Sequence, residues 1–180
     1  MTELATTESF HELTIRELRR LKGLADKAMA QVDDAGFFAT LGAGENSIAI
    51  VVKHVAGNLR SRFTDFLTSD GEKPDRNRDG EFEISGADDR AALTAAWERG
   101  WATLFAAIEP LGPEDMGRTV TIRGEGLTVL QAVTRQLTHY AYHVGQIVQL
   151  ARHHAGERWQ SLSIPRGRSA AFNEAPKPYL

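Results

Sequence analysis

The chain has no cysteine, no long apolar run and no large excess of charge of either sign. Each absence removes a class of explanation. Without cysteine there is no disulfide scaffold, thiolate zinc site, iron–sulfur cluster or cysteine nucleophile. A transition metal must then be held by histidine or by oxygen donors. The longest clean apolar run is Ile48 to Val52. That is far short of the ~20 residues a membrane-spanning helix needs, so no membrane association is expected. Lys and Arg number 21 against 24 Asp and Glu, a net charge of −3. Nucleic-acid binding calls for a basic stripe interleaved with aromatics, and this balance argues against it. The first residues, MTELATTESFHEL, are polar and acidic and lack the charged-then-apolar pattern of a signal peptide. A cytoplasmic location is the expectation. No repeat, low-complexity tract or linker interrupts the chain, and 180 residues suit one domain spanning 1–180.

What is present is helical periodicity in four stretches and six histidines. The first stretch runs from about Glu8 to Val32, with Thr7 as its N-cap. The second runs from about Asn46 to Leu67, with Ile48, Val51, Val55, Leu59 and Phe63 in its apolar stripe. The third starts near a capping-type Ser85-x-x-Asp88 and carries Trp97, Trp101 and Phe105 until Pro110 stops it. That aromatic stripe suits a core face, with an interface as the alternative. The fourth runs from about Leu127 to Ala155, with Thr128 as cap and Gly156 as a C-terminal signal.

The links are long. Residues 33–45 are glycine-rich and irregular, and residues 68–84 are highly charged. Residues 111–126 contain TVTIRGEG, which alternates as a short strand would. An up-down-up-down bundle needs only ~2–8 residues per link. Longer links let consecutive helices run parallel. The predicted fold is therefore all-α: a four-helix bundle with long crossover connections, up-down-down-up, with short β segments in its loops. The tail after Trp159 has three prolines and no helical period, and is expected to pack as an ordered loop. Each helix holds one interior glycine: Gly23, Gly57, Gly100 and Gly145. Each costs about 1 kcal/mol relative to alanine. Close helix packing or space beside a site would offset that; tolerated drift is the plain alternative.

His139 and His143 lie one helical turn apart, so both imidazoles can reach one metal ion. No Glu follows the first, which excludes the H-E-x-x-H metalloprotease pattern. Gln136 and Gln146 extend the pair into a polar stripe beside an apolar one. His54 sits in the most apolar part of the second helix, with Asn58 and Arg62 on the same side and Gly57 leaving room beside it. A lone histidine there suits a core position; beside an incomplete pair it supplies a third ligand. Three neutral imidazoles with open positions make a catalytic type of site, and zinc, nickel and iron all suit it. His153 and His154, some 15 Å further along the axis, suit the helix C-terminus instead. Glu8-x-x-His11 has di-iron spacing, but no second copy of the motif exists. No general base stands out; Tyr140, Tyr142 and Asp65 are the candidates. Arg62, Asp65, Asp70, Lys73, Arg76 and Arg78 surround the end of the second helix, and Arg166 and Arg168 flank Gly167. They suit a solvated crossover held by surface ion pairs, or an arginine that grips a carboxylate or phosphate.

A histidine on the second helix with H-x-x-x-H on the fourth resembles the DinB/YfiT-like metalloenzyme superfamily. Within it, residues 45–79, HYAYHVGQIVQLARHHAG at 139–156 and WQSLSIPRGRSAAFN at 159–173 resemble the branch called domain of unknown function 1572. The resemblance spans essentially the whole chain. It implies a bundle with crossover links, often a homodimer, and a divalent metal on His54, His139 and His143. Asn58, Arg62, Gln136 and Gln146 would then lie around the metal or face the substrate. Some members of the superfamily transfer groups to low-molecular-weight thiols, some are isomerases, and the branch itself has no settled reaction. The expected function is a divalent-metal-dependent enzyme of the transferase or hydrolase kind. A thiol, if used, must come as a cosubstrate because the chain has none. The competing expectation is a non-catalytic metal-binding or dimeric stress-related binding protein.

Overall fold

A computed structural model describes residues 9–176. Its helices are α1 (Phe10–Met29), α2 (Asp34–Phe38), α3 (Ile48–Phe63), α4 (Arg90–Ile108), α5 (Val129–Ala155) and α6 (Ser169–Glu174). Strands β1 (Thr119–Ile122) and β2 (Glu125–Thr128) form an antiparallel hairpin just before α5. The four long helices, α1, α3, α4 and α5, make the bundle.

Side-chain contacts give the helix directions. The Lys53 ammonium reaches Asp88 just before α4, and Leu59 abuts Gly100, so α3 and α4 run parallel. Phe10 and His11 lie near Leu130 and Thr134, while Gln31 bonds Gln160 beyond the far end of α5. Thus α1 and α5 also run parallel. The His11 ring donates to the Ile108 carbonyl at 2.8 Å, and Arg90 donates to the Met29 and Val32 carbonyls. These bonds set α1 antiparallel to α4. The order is up-down-down-up, the arrangement that the long links allow.

The caps show why the helices start where they do. Thr128 and Gln131 form a reciprocal capping box at the start of α5, and Gly156 ends that helix at φ 56°. The expected Thr7 cap lies outside the described residues; Ser9 caps α1, paired with Glu12. Ser47 caps α3. The Ser85–Asp88 pair does form, but it closes a turn ahead of α4, which Asp89 caps. Two other expectations need correction. The first link contains α2, capped by Asp33, and the tail contains α6. Both are too short for an apolar period to show.

The core gathers Leu18, Val52, Leu59, Leu104 and Ile147 around a stack of Trp97, Trp101 and Tyr140. Both tryptophans are fully buried, so this stripe is core. Gly100 explains the close pairing of α3 and α4: a Cβ there would stand 3.0 Å from the Leu59 Cβ. At Gly23 and Gly145 a Cβ would meet nothing within 4 Å, so neither close packing nor a site accounts for them.

Asp88 ties the second crossover to α3. Its carboxylate accepts from Lys53 and from the backbone and hydroxyl of Ser85. Burial raises its pKa, but these donors outweigh burial and hold it at about 2. A depressed carboxylate stabilises the fold above its unfolded value near 3.8 and loses that contribution as pH falls through about 2. Asp88→Asn is therefore expected to cost about 1–2 kcal/mol at pH 7, allowing for solvent screening. Denaturant titration should show the gap to wild type closing between pH 4 and pH 2.

Candidate metal centre

Antiparallel α3 and α5 bring His54 opposite His139 and His143. One ring nitrogen from each lies within 4.8 Å of the others. The ring centres are 4.6 Å apart for His139 and His143, 4.9 Å for His54 and His143, and 5.5 Å for His54 and His139. His54 and His143 are buried and His139 is partly so. The helical spacing of four placed the pair; the antiparallel crossing supplies the third ring.

Two outer partners set the ring tautomers. His54 Nδ1 lies 2.8 Å from Glu81 Oε2. A carboxylate only accepts, so Nδ1 carries a proton and Nε2 is the nitrogen left to face the other two rings. His143 Nδ1 lies 2.8 Å from Gln146 Oε1, while Gln146 Nε2 donates to Tyr142 Oη at 3.4 Å. That amide orientation likewise leaves His143 Nε2 with its lone pair. His139 Nε2 sits 3.0 Å from it. Burial and then the neighbouring His143 push the His139 pKa down to about 3. Burial lowers His143 too, against the Gln146 bond. Imidazoles oriented from behind, as His54 and His143 are here, suit a divalent ion of the zinc, nickel or iron kind. A buried His139 Nδ1 and a buried Gln136 Oε1 find no hydrogen-bond partner among the described residues.

Glu81 is the functional residue that sequence reasoning missed. It comes from a 3-10 turn, Asp79–Phe82, inside the charged crossover. Its side chain is 8% exposed, and Arg76, 2% exposed, grips it through Nε and Nη2 at 2.8 and 2.9 Å. Burial raises the Glu81 pKa, but bonds from His54 and Arg76 outweigh this and keep it low. Gly57 makes the room: a Cβ there would lie 2.3 Å from Glu81 Oε1. The vacant space beside His54 was the available signal; which carboxylate fills it was not readable.

The other candidates separate. Asn58 accepts from the Tyr140 hydroxyl at 2.9 Å, tying α3 to α5 beside the histidines. Arg62 does not present a free head. It donates to the Gly71 carbonyl and to Glu72, and burial lowers its pKa. Tyr140 is fully buried with its phenol pKa pushed up, which makes it a poor base. Asp65 lines a separate hollow of about 600 Å³ that shares no residue with the histidine cavity. Tyr142 is exposed, with its ring 4.6 Å from that of His143. His153 and His154 close the last turn of α5, outside the cluster. The Glu8 half of the Glu8–His11 pair lies outside the described residues, and His11 caps α4 instead. Among the described residues no helix is long and apolar enough to cross a membrane.

No curated protein and no solved structure matches the chain significantly. A family does: residues 5–168 match the one described as "Protein of unknown function (DUF1572)". With nearly its whole length matched, the chain belongs to that family.

Proposed function

We propose that the protein is a divalent-metal-dependent enzyme, with its ion on His54, His139 and His143. Its reaction is group transfer to a low-molecular-weight thiol or metal-assisted hydrolysis. The observation that supports this most is the donor set: three imidazoles with a ring nitrogen of each within 4.8 Å of the others, and no carboxylate or thiolate completing the cluster among the described residues. Closed structural sites use four protein ligands, whereas catalytic sites use three and keep a position for substrate. When bound, a divalent ion acts there as a Lewis acid and makes a water or thiol nucleophilic near neutral pH.

The remaining work falls to the chain. Glu81 holds the His54 ring through its Nδ1–H and adds negative charge behind it. Gln146 fixes His143 in the same way without charge. Phe82 packs 4.9 Å from the His54 ring centre and limits water on that side. The Tyr140–Asn58 bond holds the two helices in register beside the cluster. Since the chain has no cysteine, a thiol nucleophile must enter as a second substrate.

Untagged protein offered zinc, nickel and iron in turn is expected to retain about one ion per chain by elemental analysis. The loaded form is expected to turn over at least one member of a panel of thiol–electrophile pairs and hydrolysable esters. Retention of none of the three ions overturns the metal assignment. One ion per chain with no turnover across the panel points to the non-catalytic metal-binding alternative.

A further inference from the structure

Next to the histidine cluster is a cavity of about 160 Å³, walled partly by His54 and His139. At roughly 30 Å³ per water, that is room for about five waters, the size of a small acid. Five arginines line it: Arg62, Arg76, Arg78, Arg123 and Arg135. They come from α3, the crossover, the hairpin turn and α5, so no single helix face accounts for them. Among the described residues only two carboxylates, Glu72 and Glu81, bind into this set at close range. A chain of net charge −3 thus concentrates surplus positive charge at one small hollow.

The arginines fall into two groups. Arg62 and Arg76 are 6% and 2% exposed and are committed to Glu72 and Glu81. They form the floor. Arg78, Arg123 and Arg135 stand at the rim with unused donors. Among the described residues Arg78 has only fully exposed Asp79 at 3.9 Å and the Phe82 ring beneath it. Arg123 gives Nε to Glu72 at 3.0 Å, and its terminal nitrogens meet no partner among the described residues. The Arg135 guanidinium has no hydrogen-bond or ion-pair partner among the described residues.

Two details mark the hollow as built. Arg123 sits at φ 55° in a two-residue hairpin turn with Gly124, where Asn or Gly is the usual choice. Asp70 holds that turn by accepting from the Arg123 and Gly124 backbone, both at 2.8 Å. Gln136, only 4% exposed, lines the cavity with an Oε1 that has no partner among the described residues. Asn58 turns its oxygen to Tyr140, which leaves its amide nitrogen as a further donor.

We propose that this cavity binds the oxyanion of a small substrate, a carboxylate or a phosphate, gripped by Arg78, Arg123 and Arg135. The reacting end of the substrate is thereby directed toward His54 and His139, which share the cavity wall. A hydroxyl, amine or thiol hydrogen on the same substrate satisfies Gln136 Oε1. The role of the anion in a reaction rests on the metal-dependent function proposed above; the binding itself does not.

The test is calorimetric titration of chelator-treated protein with lactate, inorganic phosphate and neutral lactamide, repeated after metal loading. Lactate or phosphate is expected to bind the metal-free chain saturably, and lactamide at least tenfold more weakly. The tighter anion identifies the headgroup. Arg135→Gln and Arg123→Gln are each expected to weaken that anion about tenfold or more, the loss of one charged hydrogen-bonding group. Arg152→Gln, on the last turn of α5, should leave binding unchanged. Anion binding no tighter than lactamide, or undiminished in both rim variants, overturns the proposal. Arginine-dependent binding in a chain that takes up no metal would refute the metal assignment and keep this site. One metal per chain with arginine-independent anion binding would do the reverse.

Discussion

Glu81→Ala is expected to destabilise the protein by about 3–5 kcal/mol, the usual cost of removing one member of a buried ion pair. The reason is Arg76. Its side chain is 2% exposed, and two of its three nitrogens bond Glu81. The remaining carboxylate contact, to Glu72, is a long 3.5 Å. Deleting Glu81 leaves a buried guanidinium without its main partner. It also releases the His54 Nδ1–H, so metal affinity should fall about 10–100-fold, as for other partners behind a ligand. Chemical denaturation gives the first effect and competition with a chromophoric chelator the second. Gly57→Ala approaches the same contact without removing charge. Its Cβ would lie 2.3 Å from Glu81 Oε1. The Glu81 carboxylate cannot swing aside cheaply because Arg76 and His54 hold both oxygens. Gly57→Ala should therefore lower both stability and metal affinity. Gly145→Ala, with nothing within 4 Å of its Cβ, should gain up to about 1 kcal/mol from helix propensity. If Glu81→Ala binds metal as tightly as wild type, the role of Glu81 behind His54 is lost.

The parts of this molecule that were legible in sequence are those set by local periodicity. Thr128, the 3.6-residue stripe and Gly156 define α5 closely, because cap chemistry and apolar spacing act within the helix itself. Link length was enough to expect parallel neighbours, since a short turn cannot join parallel helices. The His139–His143 pair needed only helix geometry. His54 needed an assumption about which helix faces α5, which was open until the antiparallel crossing of α3 and α5 was seen. What was illegible is non-local. Glu81 follows His54 by 27 positions in a charged loop that reads as solvated. Its burial depends on Gly57 and Arg76 together, and no spacing rule couples the three. Arg135 carries no motif of its own; it shares a cavity with Arg123 only once the hairpin packs against α5. The residues read as a solvated crossover split the same way. Arg62 and Arg76 are buried in ion pairs, while Arg78 and Lys73 keep contact with solvent.

His139→Ala is expected to lower divalent-metal affinity by more than about 100-fold, beyond the range seen for partners outside the ligand set. It is also the cleanest of the three ligand deletions. His54→Ala would strip Glu81 of one of its donors, and His143→Ala would strand Gln146. Among the described residues the His139 ring bonds only its neighbouring ligand, His143, and its Nδ1 has no partner. Its removal should therefore leave the metal-free fold within about 1 kcal/mol of wild type, as for a substitution that breaks no buried network. The two proteins separate when metal is added. At a free ion concentration of about 1,000 times Kd, wild type should gain about 4 kcal/mol from binding to the native state alone. For a chain of this size that is a rise of roughly 8–16 °C in melting temperature. At the same concentration His139→Ala should gain no more than about 1.4 kcal/mol, a rise of at most roughly 3–6 °C. His153→Ala and His154→Ala should shift like wild type, because those rings lie outside the cluster. A full metal-dependent shift in His139→Ala would remove His139 from the ligand set. A missing shift in His154→Ala would mean that the ion binds at the other end of α5.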